Sequence, residues 1–149
     1  MSAVLRAYGT TFDVDAFLAG CTLPVCAVKR RGEPVFPASQ PEGRRHECSG
    51  VHVVASNADF DEFPRQVAEA TAFLRSEHEQ LKRLTSWPGV DGVVLDFGIE
   101  RRDVVVQCDV LPPDLLRVVG ELGLAIELSQ YPVGDSHQDI PPGAAAQSG

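Results

Sequence analysis

The chain has 149 residues, 44% hydrophobic and 23% charged, which is the size and composition of one globular domain. Its formal net charge of −8 excludes general binding to duplex nucleic acid, because phosphate contact needs a basic face. There is no apolar run of roughly 20 residues for a membrane span, and no leader-like segment. These features predict a cytoplasmic protein that needs no cofactor and binds neither nucleic acid nor membranes.

The first third of the sequence predicts a strand and a short helix followed by irregular chain. Residues 3–8 read as the strand, and Asp13 is a suitable N-cap for a helix over residues 14–19. Residues 22–47 contain four prolines and predict mostly irregular chain, with an edge strand at residues 25–29.

Clearer periodicity follows in the middle of the chain. Alternating residues predict a strand over 46–56, and apolar residues at spacings of four and three predict one long helix over 63–85. Residues 90–98 and 103–110 alternate again and predict a β-hairpin. Two prolines then introduce a helix, and a final strand covers residues 124–130.

The order of these elements predicts an α+β fold. From residue 46 the order is strand, helix, strand, strand, helix, strand, which is the split βαβ order of ferredoxin-like domains. The expected ferredoxin-like core spans residues 46–131, with the N-terminal strand and short helix added at one edge. Residues 1–131 then form a single domain. Residues 132–149 are rich in Pro, Gly, Ala and Ser and predict a disordered tail.

Three parts of the sequence carry a family resemblance. They are residues 5–9 with 12–18, the basic stretch 29–34, and residues 111–116 with 121–131. Together they resemble the bacterial family known as domain of unknown function 4279. The resemblance implies a compact bacterial α/β-type domain and supplies no catalytic residues.

The four cysteines do not predict a metal centre. Structural zinc needs four ligands, often with two cysteines two to four residues apart, and Cys21, Cys26, Cys48 and Cys108 lack such an arrangement. Cys108 is in step with Val104 and predicts a small buried thiol.

Polar residues on the predicted strands form the first candidate site. Strand alternation places them on one open sheet face, with the helices on the other. Paired carboxylates there could perform acid–base chemistry, form a docking face for a partner, or be the solvated side of the sheet. The residues are Asp96, Gln107, Asp109, Glu127, His52 and Ser56.

The proline-rich segment supplies the second candidate site. Five of the 13 basic residues lie there, and arginine matches phosphate with two parallel hydrogen bonds. The segment could bind a phosphate or an acidic peptide, or be a solvated loop. These residues are Lys29, Arg30, Arg31, Arg44 and Arg45.

Two functions of different classes fit this sequence. The first is a non-catalytic protein-binding domain of the immunity or antitoxin kind, with an acidic docking face for a basic protein partner. The alternative is a small enzyme or ligand-binding domain that uses the carboxylates of the open sheet face. A homodimer formed through an edge strand is a further possibility.

Overall fold

A computed structural model describes residues 1–132 as a five-stranded mixed sheet with four helices. The elements in chain order are β1 (Ala3–Gly9), α1 (Val14–Leu18), β2 (Val25–Lys29), β3 (Ser49–Ser56), α2 (Phe63–Ser76), α3 (His78–Thr85), β4 (Gly92–Arg101), α4 (Pro113–Leu122) and β5 (Ala125–Pro132). The predicted α+β class is confirmed, and this sheet is compatible with a ferredoxin-like core plus an N-terminal strand. β5 includes Pro132, and the rest of the predicted tail lies outside the described residues.

The strands lie in the order β2-β3-β1-β4-β5. β1 is antiparallel to both of its neighbours, β2 is antiparallel to β3, and β5 runs parallel to β4. The prediction that the N-terminal strand is added at one edge is therefore wrong, because β1 is the central strand. Its register, with Leu5 between Val53 and Leu95, brings together the beginning, middle and end of the described chain.

The predicted β-hairpin is also wrong. β4 forms as expected, but residues 102–112 form neither a strand nor a helix. A strand has two hydrogen-bonding edges, and those of β4 are occupied by β1 and β5. Residues 103–110 thus have no edge of β4 to pair with, although their alternation is typical of a strand.

The helices cover one face of the sheet and enclose the core. Inward residues of the central strands are buried together with helix residues such as Phe17, Leu74, Leu81 and Leu115. The long helix predicted over 63–85 is two helices that meet at Glu77. The helix ends follow local signals, because the Asp13 carboxylate accepts a hydrogen bond from the Ala16 amide, and α4 ends at Gly123 with φ of 70°.

Arg83 on α3 contacts the short helix α1 and holds it against the other helices. Its guanidinium lies over the rings of Phe17 and Trp87, 4.8 and 4.7 Å from their centroids. It also donates hydrogen bonds of 3.1 Å to the carbonyls of Phe17 and Gly20 at the end of α1. These contacts join the C-terminal end of α1 and the residues just after it to α3.

Candidate functional site

The side of the sheet opposite the helices is uncovered in the part of the chain that the structure describes. Along β1, Leu5 and Ala7 are buried beneath the helices, whereas Arg6 and Tyr8 point to the other side and are partly exposed. Pairing places His52 beside Arg6 and Asp96 beside Glu127 on this same side. We call it the open face.

Two of the predicted carboxylates meet on the open face, and Arg6 lies between them. Its guanidinium is 2.5 Å from Glu127 and 3.6 Å from Asp96. The other oxygen of Asp96 accepts a hydrogen bond of 2.7 Å from the Ser129 hydroxyl. The central cation therefore partly neutralises the acidity expected at this place.

Two aromatic residues extend this cluster, and the sequence reasoning missed both. The Phe60 and Tyr131 rings are 5.3 Å apart, and Phe60 is 47% exposed. The Phe60 ring lies against Gly98, where any Cβ would collide with it. Burial raises the pKa of the Tyr131 hydroxyl, and Asp96 and Glu127 raise it further. We call Asp96, Glu127, Ser129, Phe60 and Tyr131 the acidic half of the open face.

Gln107 and Asp109 do not join the open face as predicted, because they lie in the irregular segment 102–112. They form a separate cluster in which the Gln107 amide donates to Asp109 at 2.8 Å and to the Glu100 carbonyl at 3.0 Å. Arg102 closes the cluster with an ion pair of 3.2 Å to Asp109. These groups fold the segment back onto the end of β4.

The predicted position of Ser56 is wrong for a different reason. The β1–β3 register shifts between Ala3 and Val4, so that Ala3 pairs with Ser56 and Val4 with Val54. This irregularity turns Ser56 to the helix side, where its hydroxyl donates to Glu69 at 2.6 Å. That hydrogen bond and Arg65 lower the pKa of Glu69.

His52 lies on the open face on the other side of Arg6 from the carboxylates. Burial lowers its pKa to about 4, and Lys29 and Arg6 contribute to the same shift. Lys29 is half-buried beside it, and burial and Arg6 lower the pKa of its ammonium group. Together with Tyr8, His46 and Ser49 they line a cleft of about 270 Å³. We call these five residues the basic half of the open face.

The predicted basic loop does not form one patch. Arg30 makes an ion pair of 2.7 Å with Asp15, and Arg31 donates to the Thr10 carbonyl at 3.2 Å. Arg45 donates to the Gly32 carbonyl at 2.7 Å, which holds the loop against itself. Arg44 is exposed and forms no ion pair within residues 1–132. Of the five residues, only Lys29 lines the cleft.

The cysteines are free thiols, and Cys108 is exposed rather than buried as predicted. Burial raises the pKa of Cys26, which makes its thiolate harder to form. Among residues 1–132, no three His, Cys, Asp or Glu side chains are grouped so that they could hold a metal ion. None of the described helices has the length and apolar character needed to cross a membrane.

Comparison with known proteins adds no relative. No family model, no curated protein and no solved structure matches the chain. The resemblance to the domain of unknown function 4279 family stays a prediction.

Proposed function

We propose that this protein is a non-catalytic binding module whose acidic half docks a basic protein partner. The observation that carries the proposal is the exposed aromatic pair beside paired carboxylates on a sheet face that the described chain leaves uncovered. Aromatic side chains are enriched in the buried centres of interfaces, where a few anchors carry most of the binding energy. Phe60 offers such an anchor, and it is held in place by contact with Tyr131 and Gly98.

Charge supports a basic partner. The whole chain has a formal net charge of −8, which accelerates encounter with a cation-rich surface. At the acidic half, the side chain of Glu127 is 52% exposed. Its carboxylate can therefore face a partner while its ion pair with Arg6 keeps it in place. Immunity and antitoxin proteins bind a partner and block its active surface. The proposed module is of this kind, as the sequence predicts.

The carboxylates support catalysis less well than binding. Asp96 is already engaged by Arg6 and Ser129, and Glu127 by Arg6. A general acid or base needs a group that is free to exchange a proton with a substrate in a cleft. The cleft of the open face lies beside His52 and Lys29, on the other side of Arg6.

A cytoplasmic location suits the four free thiols, which stay reduced there.

The test is capture of a partner with matched variants. The full chain is immobilised on a resin and incubated at low salt with a lysate of the encoding organism. Bound proteins are then identified by mass spectrometry. Glu127→Lys and Glu79→Lys change the net charge equally, but Glu79 is on α3, away from the open face, with a side chain that is 95% exposed. We expect a basic protein that wild type and E79K retain and that E127K and Phe60→Ala lose.

Affinity measurements with that partner then decide the proposal. Removal of an aromatic anchor costs about 1–2 kcal/mol, so F60A should weaken Kd roughly 5- to 30-fold. The association rate of wild type should fall steeply as salt rises, and that of E127K should depend less on salt. Size-exclusion chromatography beforehand separates this from self-association through the edge strands β2 or β5. Capture that is equal for all variants, or a stable dimer that buries Phe60, would overturn the proposal.

A further inference from the structure

The basic half of the open face holds positive charge that its own residues do not balance. Lys29, at the end of the edge strand β2, is half-buried and forms no ion pair with any other residue of 1–132. Arg6 lies close enough to lower its pKa, and the carboxylates that neutralise Arg6 are on the opposite side of it. An ammonium group that is partly removed from water and has no carboxylate partner is energetically costly.

The positive charge of Lys29 also affects the two histidines beside it. Burial is the first cause of the lowered pKa of His46 and of His52, and Lys29 is the second cause for both. Each ring therefore stays neutral at pH 7, where it can offer one N–H donor. The one carboxylate that lines the cleft, Glu47, is exposed and makes no ion pair within the described residues.

Hydrogen-bond donors also converge on the cleft. The Ser49 hydroxyl oxygen accepts a bond of 2.9 Å from the Arg31 amide, which leaves the hydroxyl proton free to donate. Tyr8 also lines the cleft, but its hydroxyl lies over Gly92 of β4, on the side of β1 away from β2 and β3, so it is not counted among these donors. Donors from two neighbouring strands, Lys29 on β2 and Ser49 and His52 on β3, thus line one opening.

We propose that this cleft binds a small oxyanion, a phosphate or carboxylate group, which contacts the Lys29 ammonium, the Ser49 hydroxyl and the His52 imidazole. An oxyanion would supply a negative charge beside Lys29 and would accept from donors that have no acceptor among residues 1–132. The cleft of about 270 Å³ has room for such a group but not for a large ligand. The site is separate from the acidic half, so it can exist whether or not a basic partner docks there.

The composition of the protein makes the test direct. Lys29 and Lys82 are the two lysines of the chain, and Lys82 is exposed on α3. Protein labelled with ¹³C at lysine Cε therefore gives two lysine signals, one at the site and one internal control. Inorganic phosphate, acetate and chloride are titrated separately at constant ionic strength and pH 7.

We expect the Lys29 signal to move with saturation on adding an oxyanion, with no saturable change for Lys82 or with chloride. Movement with phosphate alone assigns a phosphate site, and movement with both oxyanions assigns a general oxyanion site. Phosphate should also raise the Tm of wild type and of Lys82→Met, but not of Lys29→Met or of Lys29→Gln, for which Kd should rise at least about tenfold. Equal, non-saturating shifts of both lysines, or the same rise in Tm for K29M and K82M, would show that only general screening occurs and would refute the site.

Discussion

Replacing Gln66 with glutamate tests how the loop that carries Phe60 is fixed to the sheet. Gln66 on α2 is 0% exposed, and its amide nitrogen donates to the Asp59 carbonyl at 2.9 Å and to the Gly98 carbonyl at 2.8 Å. Both protons of the amide are therefore used, one on the Phe60 loop and one on β4. A carboxylate has no proton for either carbonyl, and a carboxylic acid has one.

The structure sets the size and the pH dependence of the loss. The two hydrogen bonds of the Gln66 amide, one of them buried, are together worth about 2–3 kcal/mol, which is the loss expected for Gln66→Met. In Gln66→Glu, burial opposite two carbonyl oxygens raises the pKa of the new carboxyl group in the folded state. The protonated form keeps one of the two hydrogen bonds and so loses only about 1–2 kcal/mol. A rise of about two to three pKa units adds roughly 3–4 kcal/mol to that loss at pH 7, because each unit is worth about 1.4 kcal/mol.

The sign follows from proton binding. A raised pKa means that the folded state of Q66E holds its proton at a pH where the unfolded state has lost it. The variant should therefore be least destabilised below about pH 4 and lose further stability as pH rises through the raised pKa. Q66M has no such group and should differ from wild type by the same amount at both pH values.

Urea unfolding at pH 4 and pH 7, followed by far-UV circular dichroism and by the fluorescence of the single tryptophan, measures these differences. At pH 7 we expect Q66E to be about 4–6 kcal/mol less stable than wild type or to be unfolded. If Q66E stays within about 1 kcal/mol of wild type at pH 7, or tracks Q66M at both pH values, the assigned role of the Gln66 amide is incorrect.

Further substitutions test three separate features of the fold. Because the folded pKa of His52 is about 4 and its ordinary value is 6.5, wild type should lose stability as pH falls from about 6.5 to 4. The full pKa shift is worth about 3 kcal/mol of unfolding free energy, and solvent screening reduces this to about 1–2 kcal/mol. His52→Gln should lack this pH-dependent loss of stability. Arg83→Ala should destabilise by about 2–3 kcal/mol, since it removes two carbonyl hydrogen bonds and contact with two aromatic rings. Gly89→Ala should cost about 2–4 kcal/mol, because φ is 87° and a Cβ would collide with backbone, whereas Gly120→Ala in open helix should stabilise by up to about 1 kcal/mol.

Each of these has its own control. A pKa near 6.5 for His52, measured by NMR of the ring protons, would contradict the pH prediction. Arg83→Lys keeps the charge but not the planar guanidinium, so it should retain only part of the stability, and full retention would show that charge alone suffices. Equal effects of alanine at Gly89 and Gly120 in urea unfolding would contradict the assigned backbone geometry.

The sequence by itself determined where most of the helices and strands lie, but not the break between α2 and α3 or the irregular course of residues 102–112. Asp13 specified the start of α1, two prolines and Gly123 bounded α4, and alternation identified the inward residues of β3. These signals act within one or two turns of chain, where capping, proline geometry and side-chain period operate directly. The α+β class follows from them without knowledge of any long-range contact.

Only the tertiary structure decided which strands pair, and this placed the site residues. Residues 103–110 have the alternation of a strand, but both hydrogen-bonding edges of β4 are paired with β1 and β5. Gln107 and Asp109 therefore lie outside the sheet. The same central position of β1 brings Arg6 between Asp96 and Glu127 and next to His52. Arg6 and Glu127 are 121 residues apart along the chain and adjacent in space. Which strand pairs with which edge depends on all the strands of the sheet, including those distant along the chain. The alternation within one segment shows which of its side chains share a face, but it does not show the neighbouring strand.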